Sequence, residues 1–329
     1  MTVVQKEAAA SQQTNPEQIS GWIEAGLYVL AIAVISVLYA MANEMGAHVV
    51  VFVLYSLLVS AAGMLAFTGL GAEPIRIMLA PQSWIVGIGT ILLEGAYCLM
   101  LVTISPAEGN LLVRLSIPIA LIVGWLWFGR MPATGIWIGA AIISAGVGVL
   151  ALTLDPATQG LGVLYGLLSA TMVGVRGFAA EFHPWNRAAR NVVEKMRVTG
   201  LVVLVTALTS LIVVGFGTAL VGQGILARSE LVPAPADLWH LPAILMALLV
   251  GGAVFTAMSY LQFSAVVKIR TENFIATGAF MPIATLLVQS LAAAAGLITV
   301  SAFDWRLLPG MLIVVVGVMV LIRSRRKEG

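Results

Sequence analysis

Two apolar stretches of the sequence carry side chains that could do chemistry. "GTILLEGAYCLM" contains Glu94 and Tyr97, and "NLLVRLSIPIALIVGW" contains Asn110, Arg114 and Pro118. The last three are spaced by four residues, so a helix places them on one face. An arginine at the centre of a membrane helix costs roughly 2.5–3.5 kcal/mol on insertion scales. This face is therefore expected to line a cavity inside the protein and not to contact lipid.

The chemistry expected of Arg114 is the binding of an anionic substrate group, and the alternative is a snorkelling or structural arginine. Glu94 is its predicted partner, because a rise of about 1.5 Å per residue puts the two within about 5 Å in depth. A structural pair and a pair linked to substrate or protons are both open. Arg176 is expected deeper toward the cytoplasm, where it either lines the cavity or snorkels inward.

Milder polar stripes follow other apolar segments. They predict either substrate contacts or, as is more common, hydrogen bonds between helices. Their members are Ser36, Tyr39 and Asn43 in one segment, Thr256, Ser259 and Tyr260 in a second, and Thr285 and Gln289 in a third.

The composition excludes a soluble enzyme of ordinary type. Of the 329 residues, 60% are hydrophobic and 10% are charged, whereas soluble domains have about 25% charged residues. The three histidines are scattered, and no phosphate-binding or hydrolase motif is present. We therefore expect no enzyme activity, no metal, no cofactor and no nucleic-acid partner. The solvent is expected to be largely lipid.

The elements that position these residues are ten apolar segments long enough to span a bilayer. They lie near 23–44, 48–70, 82–103, 106–129, 133–153, 160–181, 193–217, 239–263, 272–295 and 306–323. With both termini in the cytoplasm, 13 of the 17 Lys and Arg residues fall on that side. The positive-inside rule then predicts a multi-pass protein of a bacterial-type inner membrane with cytoplasmic termini.

The segments repeat in order, which predicts two five-helix halves. "LYVLAIAVISVLYAMANE" parallels "LYGLLSATMVGVRGFAAE", and "EGNLLVRLSIPIA" parallels "ENFIATGAFMPIA". An odd number of helices per repeat makes the second copy inverted. We expect an all-α protein with a cytoplasmic tail over 1–22, a first repeat over 23–153 and a second over 160–324.

The repeat also predicts hinges and gates. Pro118 and Pro282 occupy matching places and are expected to interrupt their helices. Glutamates mark both ends: Glu44 and Glu108 on the outer side, Glu181 and Glu272 on the inner side. Lys268 or Arg270 is the predicted partner of the inner pair. The alternative for Glu108 and Glu272 is a first-turn residue at a helix N-terminus.

With this 5+5 plan, the paired prolines and the glycine-rich closing helices "WIGAAIISAGVGVLAL" and "LLPGMLIVVVGVMVLI", the chain resembles the EamA-type drug/metabolite transporters over about residues 22–325. The resemblance implies ten helices and transport of small metabolites. One departure stands out. Family members often have an acidic residue after the fourth span, and this chain has Arg130.

The function expected from the sequence is secondary or facilitative transport of small metabolites by alternating access. The substrate is expected to be anionic or zwitterionic, and coupling to protons is left open. The alternatives are a flippase for a lipid-linked phosphate and a membrane assembly protein without transport activity.

Overall fold

The computed structural model describes residues 16–102, 104–154, 156–299 and 305–325, and these residues form helices and turns with no strand among them. Ten of the described helices are long and apolar enough to cross a membrane, so the chain has the architecture of a multi-pass membrane protein. They are α1 (Pro16–Glu44), α2 (Val49–Thr68), α3 (Pro81–Leu101), α4 (Pro106–Phe128), α5 (Thr134–Thr153), α6 (Pro156–Glu181), α7 (Val192–Gly222), α8 (Leu241–Ile269), α9 (Thr271–Ala294) and α10 (Leu307–Arg325).

The helix boundaries agree with the predicted spans to within about four residues except at three ends. Helix α1 begins at Pro16 and not near 23, α7 ends at Gly222 and not near 217, and α8 ends at Ile269 and not near 263. The predicted tail over 1–22 is therefore partly helical, and residues 1–15 lie outside the described residues. The span rule measures only the hydrocarbon thickness, whereas these helices extend beyond it with polar turns.

The packing brings five helices around a common centre. Helix α1 packs against α8 and α9, while α3 packs against α6 and α7. Helix α4 contacts α6, and α9 contacts α4. Side chains of α1, α3, α4, α6 and α9 consequently point into one internal cavity.

Helices α5 and α10 touch through their backbones. A Cβ atom on Gly139 would lie 2.7 Å from the carbonyl oxygen of Gly317, and one on Gly146 would lie 2.9 Å from that of Gly310. Small residues permit this close approach between membrane helices. From one contact to the next the residue numbers rise in α5 and fall in α10, so the two helices are antiparallel.

The helices that contain Pro118 and Pro282 are both interrupted just before the proline, as the sequence predicts. A 3-10 turn occupies Val113–Leu115 in α4, and another occupies Gly278–Phe280 in α9. Proline lacks an N–H and its ring clashes with the carbonyl four residues earlier. For Pro118 and Pro282 that carbonyl belongs to Arg114 and Gly278, which lie in these two turns. The role of the turns in switching stays a prediction.

Candidate functional site

A small enclosed cavity lies at the centre of the helix bundle. Its volume is about 60 Å³, which leaves room for about five water molecules at roughly 10–15 Å³ each. The lining includes six of the predicted site residues, namely Tyr39, Glu94, Tyr97, Asn110, Arg114 and Arg176. These residues of α1, α3, α4 and α6 therefore lie around one cavity, and their role in binding substrate stays a prediction.

Arg114 is buried at the 3-10 turn of α4, with 3% of its surface exposed. Its Nε donates to the carbonyl oxygen of Asn110 at 2.8 Å, and its Nη2 contacts the Sδ of Met281 at 3.2 Å. The guanidinium also packs directly on Gly278, where a Cβ atom would lie 2.2 Å from Nη1. Gly278 is therefore the residue that leaves room for the arginine head group.

The predicted ion pair between Glu94 and Arg114 is wrong. Among the described residues, no carboxylate lies within 4.0 Å of the Arg114 guanidinium. The Oε2 of Glu94 instead accepts a hydrogen bond from the hydroxyl of Tyr39 at 2.7 Å. Similar depth in the membrane brings the two residues to one cavity, but the helix rotations direct their side chains to different partners.

A polar network fixes the other side of the cavity. The Nδ2 of Asn110 donates to the Oγ of Ser36 at 3.0 Å and to the Oγ1 of Thr285 at 2.9 Å. The hydroxyl of Tyr97 donates to the same Ser36 oxygen at 3.1 Å. Asn110 and Tyr97 thus act as interhelical hydrogen-bond donors that connect α3 and α4 to α1 and α9.

Arg176 points into the cavity and does not snorkel toward the cytoplasm. Its surface is 5% exposed, and its Nη2 donates to the Oε1 of Gln262 on α8. Like Arg114, it has no carboxylate within 4.0 Å among the described residues. Two buried guanidinium groups therefore line one cavity without an acidic counter-ion in contact.

Two predicted site residues lie elsewhere. Asn43 lines a pocket near the end of α1, and Tyr260 lines another pocket at the opposite end of the bundle. Their places in the polar stripes are right, but helix tilt and length carry them away from the centre.

We call the end where α1 begins and α10 ends the terminal face, and the opposite end the distal face.

At the terminal face one arginine lies between two glutamates. Arg130 follows α4 and reaches Glu181 at the end of α6 at 2.5 Å and Glu272 at the start of α9 at 2.8 Å. The Oε2 of Glu181 also accepts the backbone N–H of Thr271 at 2.9 Å. We call Arg130, Glu181 and Glu272 the terminal gate.

The terminal gate is charged and partly enclosed. Its arginine side chain is 22% exposed and its two glutamate side chains are 9% exposed. The guanidinium carbon also lies 5.6 Å and 5.3 Å from the ring centroids of Phe128 and Phe182. Burial by itself would lower the pKa of Arg130, but the hydrogen bonds that it donates to both carboxylates outweigh burial and raise that pKa.

The predicted partners of the inner glutamates are wrong. Lys268 pairs with Glu24 of α1 at 2.5 Å, and Arg270 is exposed. Arg270 also has a φ of +65° in the turn between α8 and α9, a backbone conformation that residues other than glycine rarely adopt. The sequence drew attention to Arg130 only as a departure from a family pattern. Nothing along the chain reveals that three helix ends converge on it.

Three acids line a pocket at the distal face. Glu44 accepts hydrogen bonds from the N–H of Thr299 at 2.8 Å and from its hydroxyl at 2.9 Å. Glu108 forms a capping box with Ser105, so the alternative of a first-turn residue is the one observed. A pocket of about 270 Å³ lies here, and its lining residues include Glu44, Glu108 and Glu230 and no Lys or Arg.

Tyr39 separates the distal pocket from the central cavity. It lines both spaces, has 2% of its surface exposed, and packs 6.2 Å from the ring centroid of Tyr97 and 6.0 Å from that of Phe52. One aromatic side chain, held by Glu94, thus closes the cavity on the distal side.

In the described part of the chain, no group of three or more His, Cys, Asp or Glu residues is placed to hold a metal ion.

Comparisons with known proteins bear on the fold alone. No protein-family model matches the sequence, and no curated protein matches it. A solved structure described as "Crystal structure of protein" covers 94% of this chain and 99% of its own, with a TM-score of 0.61 and 17% sequence identity. The ten-helix arrangement is therefore shared with another protein over nearly its full length.

Proposed function

We propose that the protein is a secondary or facilitative transporter of small anionic or zwitterionic metabolites. The observation that carries the proposal is the central cavity, into which Arg114 and Arg176 point without a carboxylate within 4.0 Å among the described residues. An anion placed about 4 Å from a guanidinium gains about 4 kcal/mol at an effective dielectric constant of 20. A bound carboxylate or phosphate would form the direct ion pair that neither arginine forms with a carboxylate of the described residues.

Alternating access is supported by features that match between the two halves. The 3-10 turns of α4 and α9 precede prolines that the repeat pairs with each other. In the contact between α5 and α10, Gly139 meets Gly317 while Gly146 meets Gly310. The sequence repeat matches Gly139 with Gly310 and Gly146 with Gly317, so each contact joins a glycine to the mate of the other, as a two-fold axis between inverted halves would require. We propose that the protein is an EamA-type drug/metabolite transporter, as the sequence resemblance implies.

The structure corresponds in this proposal to an occluded state. The cavity of about 60 Å³ is too small for a metabolite, so the helices must separate for loading. On the terminal face this requires breaking the contacts of Arg130, and on the distal face it requires moving Tyr39. Proton coupling, if present, would act at Glu94, because its carboxylate lines the cavity and holds Tyr39.

The proposed setting is a bacterial-type inner membrane with the terminal face in the cytoplasm. The support is the distribution of Lys and Arg, which concentrates on that face. A cysteine at Ser229, in a background without Cys98, tests the orientation. It should react with an impermeant thiol reagent added outside intact cells. Reaction only after permeabilisation would reverse the assignment.

The direct test of transport is an uptake and counterflow screen in proteoliposomes. Organic anions and zwitterions are offered with and without a pH gradient, and the variants Arg114→Lys, Arg176→Gln and Arg76→Gln are compared. Wild type and the exposed-site control Arg76→Gln should accumulate a solute that both cavity variants bind at least about tenfold more weakly. Equal uptake by all four proteins would contradict a role for the cavity arginines.

A second candidate, a flippase for a lipid-linked phosphate, is favoured by an apolar cavity of about 290 Å³ beside the centre. It lies between α2, α3, α6 and α7, and Glu94 lines it as well as the central cavity. An acyl chain would suit its leucine and valine lining, with the phosphate reaching the arginines. Translocation of a labelled lipid phosphate, with no solute accumulated in the screen, would select this candidate.

A further inference from the structure

A cavity at the terminal face, separate from the central cavity, has the character of an anion site. Its volume is about 290 Å³, and it lies between the start of α1, the segment leading into α7 and the end of α8. Ligand cavities typically begin at about 300 Å³, so the space suits a small group. Four cations line it, namely Arg187, Arg190, Lys195 and Lys268, together with Glu17, Tyr260 and Ser264.

Lys195 distinguishes this cavity from an ordinary charged surface. It lies in the first turn of α7, and only 9% of its surface is exposed. Among the described residues, its ammonium group has no carboxylate within 4.0 Å. Lysine is almost never buried to this extent unless it is paired. A charge that only sets membrane orientation would lie exposed in water, as Arg190 does.

The nearby acids leave the cavity with an excess of positive charge. Glu24 is already bound to Lys268 at 2.5 Å, and Glu17 lines the cavity. The carboxylate of Glu194 accepts the backbone N–H of Arg190 at 2.8 Å, so three acids lie beside the four cations. An anionic group between the cations would compensate the remaining positive charge and give Lys195 a partner.

We propose that this cavity binds a phosphate group through Lys195, Arg187 and Arg190, either as an anionic lipid headgroup or as free phosphate. The start of α7 lies at a membrane-spanning helix end, the depth at which lipid phosphates are found. Arginines bind phosphate oxygens through paired N–H groups, and lysine binds them as a point charge. The site is separate from the central cavity and does not depend on the transport proposal.

Two probes distinguish the sources of the phosphate group. Phosphatidylglycerol bound to the purified full-length protein is measured by native mass spectrometry, with phosphatidylcholine as the neutral lipid. Inorganic phosphate is measured by equilibrium dialysis. Wild type should bind phosphatidylglycerol, phosphate or both, and phosphatidylcholine no better than background. Phosphatidylglycerol binding without phosphate binding assigns the site to a lipid headgroup, and phosphate binding assigns it to the free ion.

Three variants test the residues. Lys195→Gln should weaken binding of the active probe by about tenfold or more, since a hydrogen bond to a charged group is lost. Arg190→Gln changes an exposed residue that should not affect folding, and it should also weaken binding. Arg76→Gln removes a cation of the same face that lies outside the cavity, and it should leave binding unchanged. Neither probe binding wild type, or all three variants binding alike, would overturn the proposal.

Discussion

Removal of Arg130 should open the terminal face. Arg130→Gln leaves Glu181 and Glu272 facing each other without the cation that joins them. Exposed ion pairs contribute about 0.2–1 kcal/mol and breaking a buried pair costs about 3–5 kcal/mol. With side chains 22% and 9% exposed, we expect an intermediate loss of about 2–3 kcal/mol, or roughly 30- to 150-fold in the opening equilibrium.

The assay measures access to the cavity from the terminal face. Val173 lines the cavity, so Val173→Cys in a Cys98→Ala background gives a single reporter thiol. Its alkylation by an impermeant reagent follows the fraction of molecules open to that face. Arg130→Gln should raise the alkylation rate by roughly 30- to 150-fold.

Two controls make the result decisive. Arg76→Gln breaks an exposed pair on the same face, whose arginine side chain is 74% exposed, and should change the rate less than about fivefold. Combining Arg130→Gln with Glu181→Gln and Glu272→Gln removes the repulsion between the carboxylates and should restore part of the closure. If Arg130→Gln accelerates alkylation no more than Arg76→Gln, the three residues do not hold the terminal face closed.

Three further outcomes are expected, with Gly148→Ala as a common control because a Cβ atom there meets nothing within 4 Å. Gly278→Ala places a Cβ atom 2.2 Å from the Arg114 guanidinium, so substrate affinity in a binding assay should fall about tenfold while the control is unchanged. Gly139→Ala pushes α5 from the Gly317 backbone and should lower the free energy of unfolding by about 1–3 kcal/mol in a denaturation titration. Burial lowers the pKa of His183 to about 4, so the unfolded chain takes up its proton first as the pH falls. Stability is thus complete above about pH 6.5 and should decrease by about 3 kcal/mol toward pH 4, and melting curves of His183→Gln should show a smaller decrease.

The sequence was sufficient for the helices and for six of the eight polar residues predicted for the central site. Ten spans follow from apolar length, because backbone groups in lipid must be satisfied within each helix. The helix interruptions follow from the chemistry of proline at Pro118 and Pro282. The cavity position of Arg114 follows from the cost of exposing a charge to lipid. Each of these depends on local chain properties and on the solvent, so no knowledge of neighbouring helices is needed.

Only the tertiary structure decided which side chains meet. Rise per residue gives the depth of Glu94 and Arg114, but the partner of each depends on how the helices rotate and tilt against one another. The contact of Tyr39 with Glu94 and the packing of Arg114 on Gly278 arise in this way. Arg130 joins helix ends that are distant in sequence. Lys195 is likewise buried by helices that lie far before it and far after it in the sequence. Such contacts are set by the packing of whole helices, and the spacing of residues along one helix does not contain them.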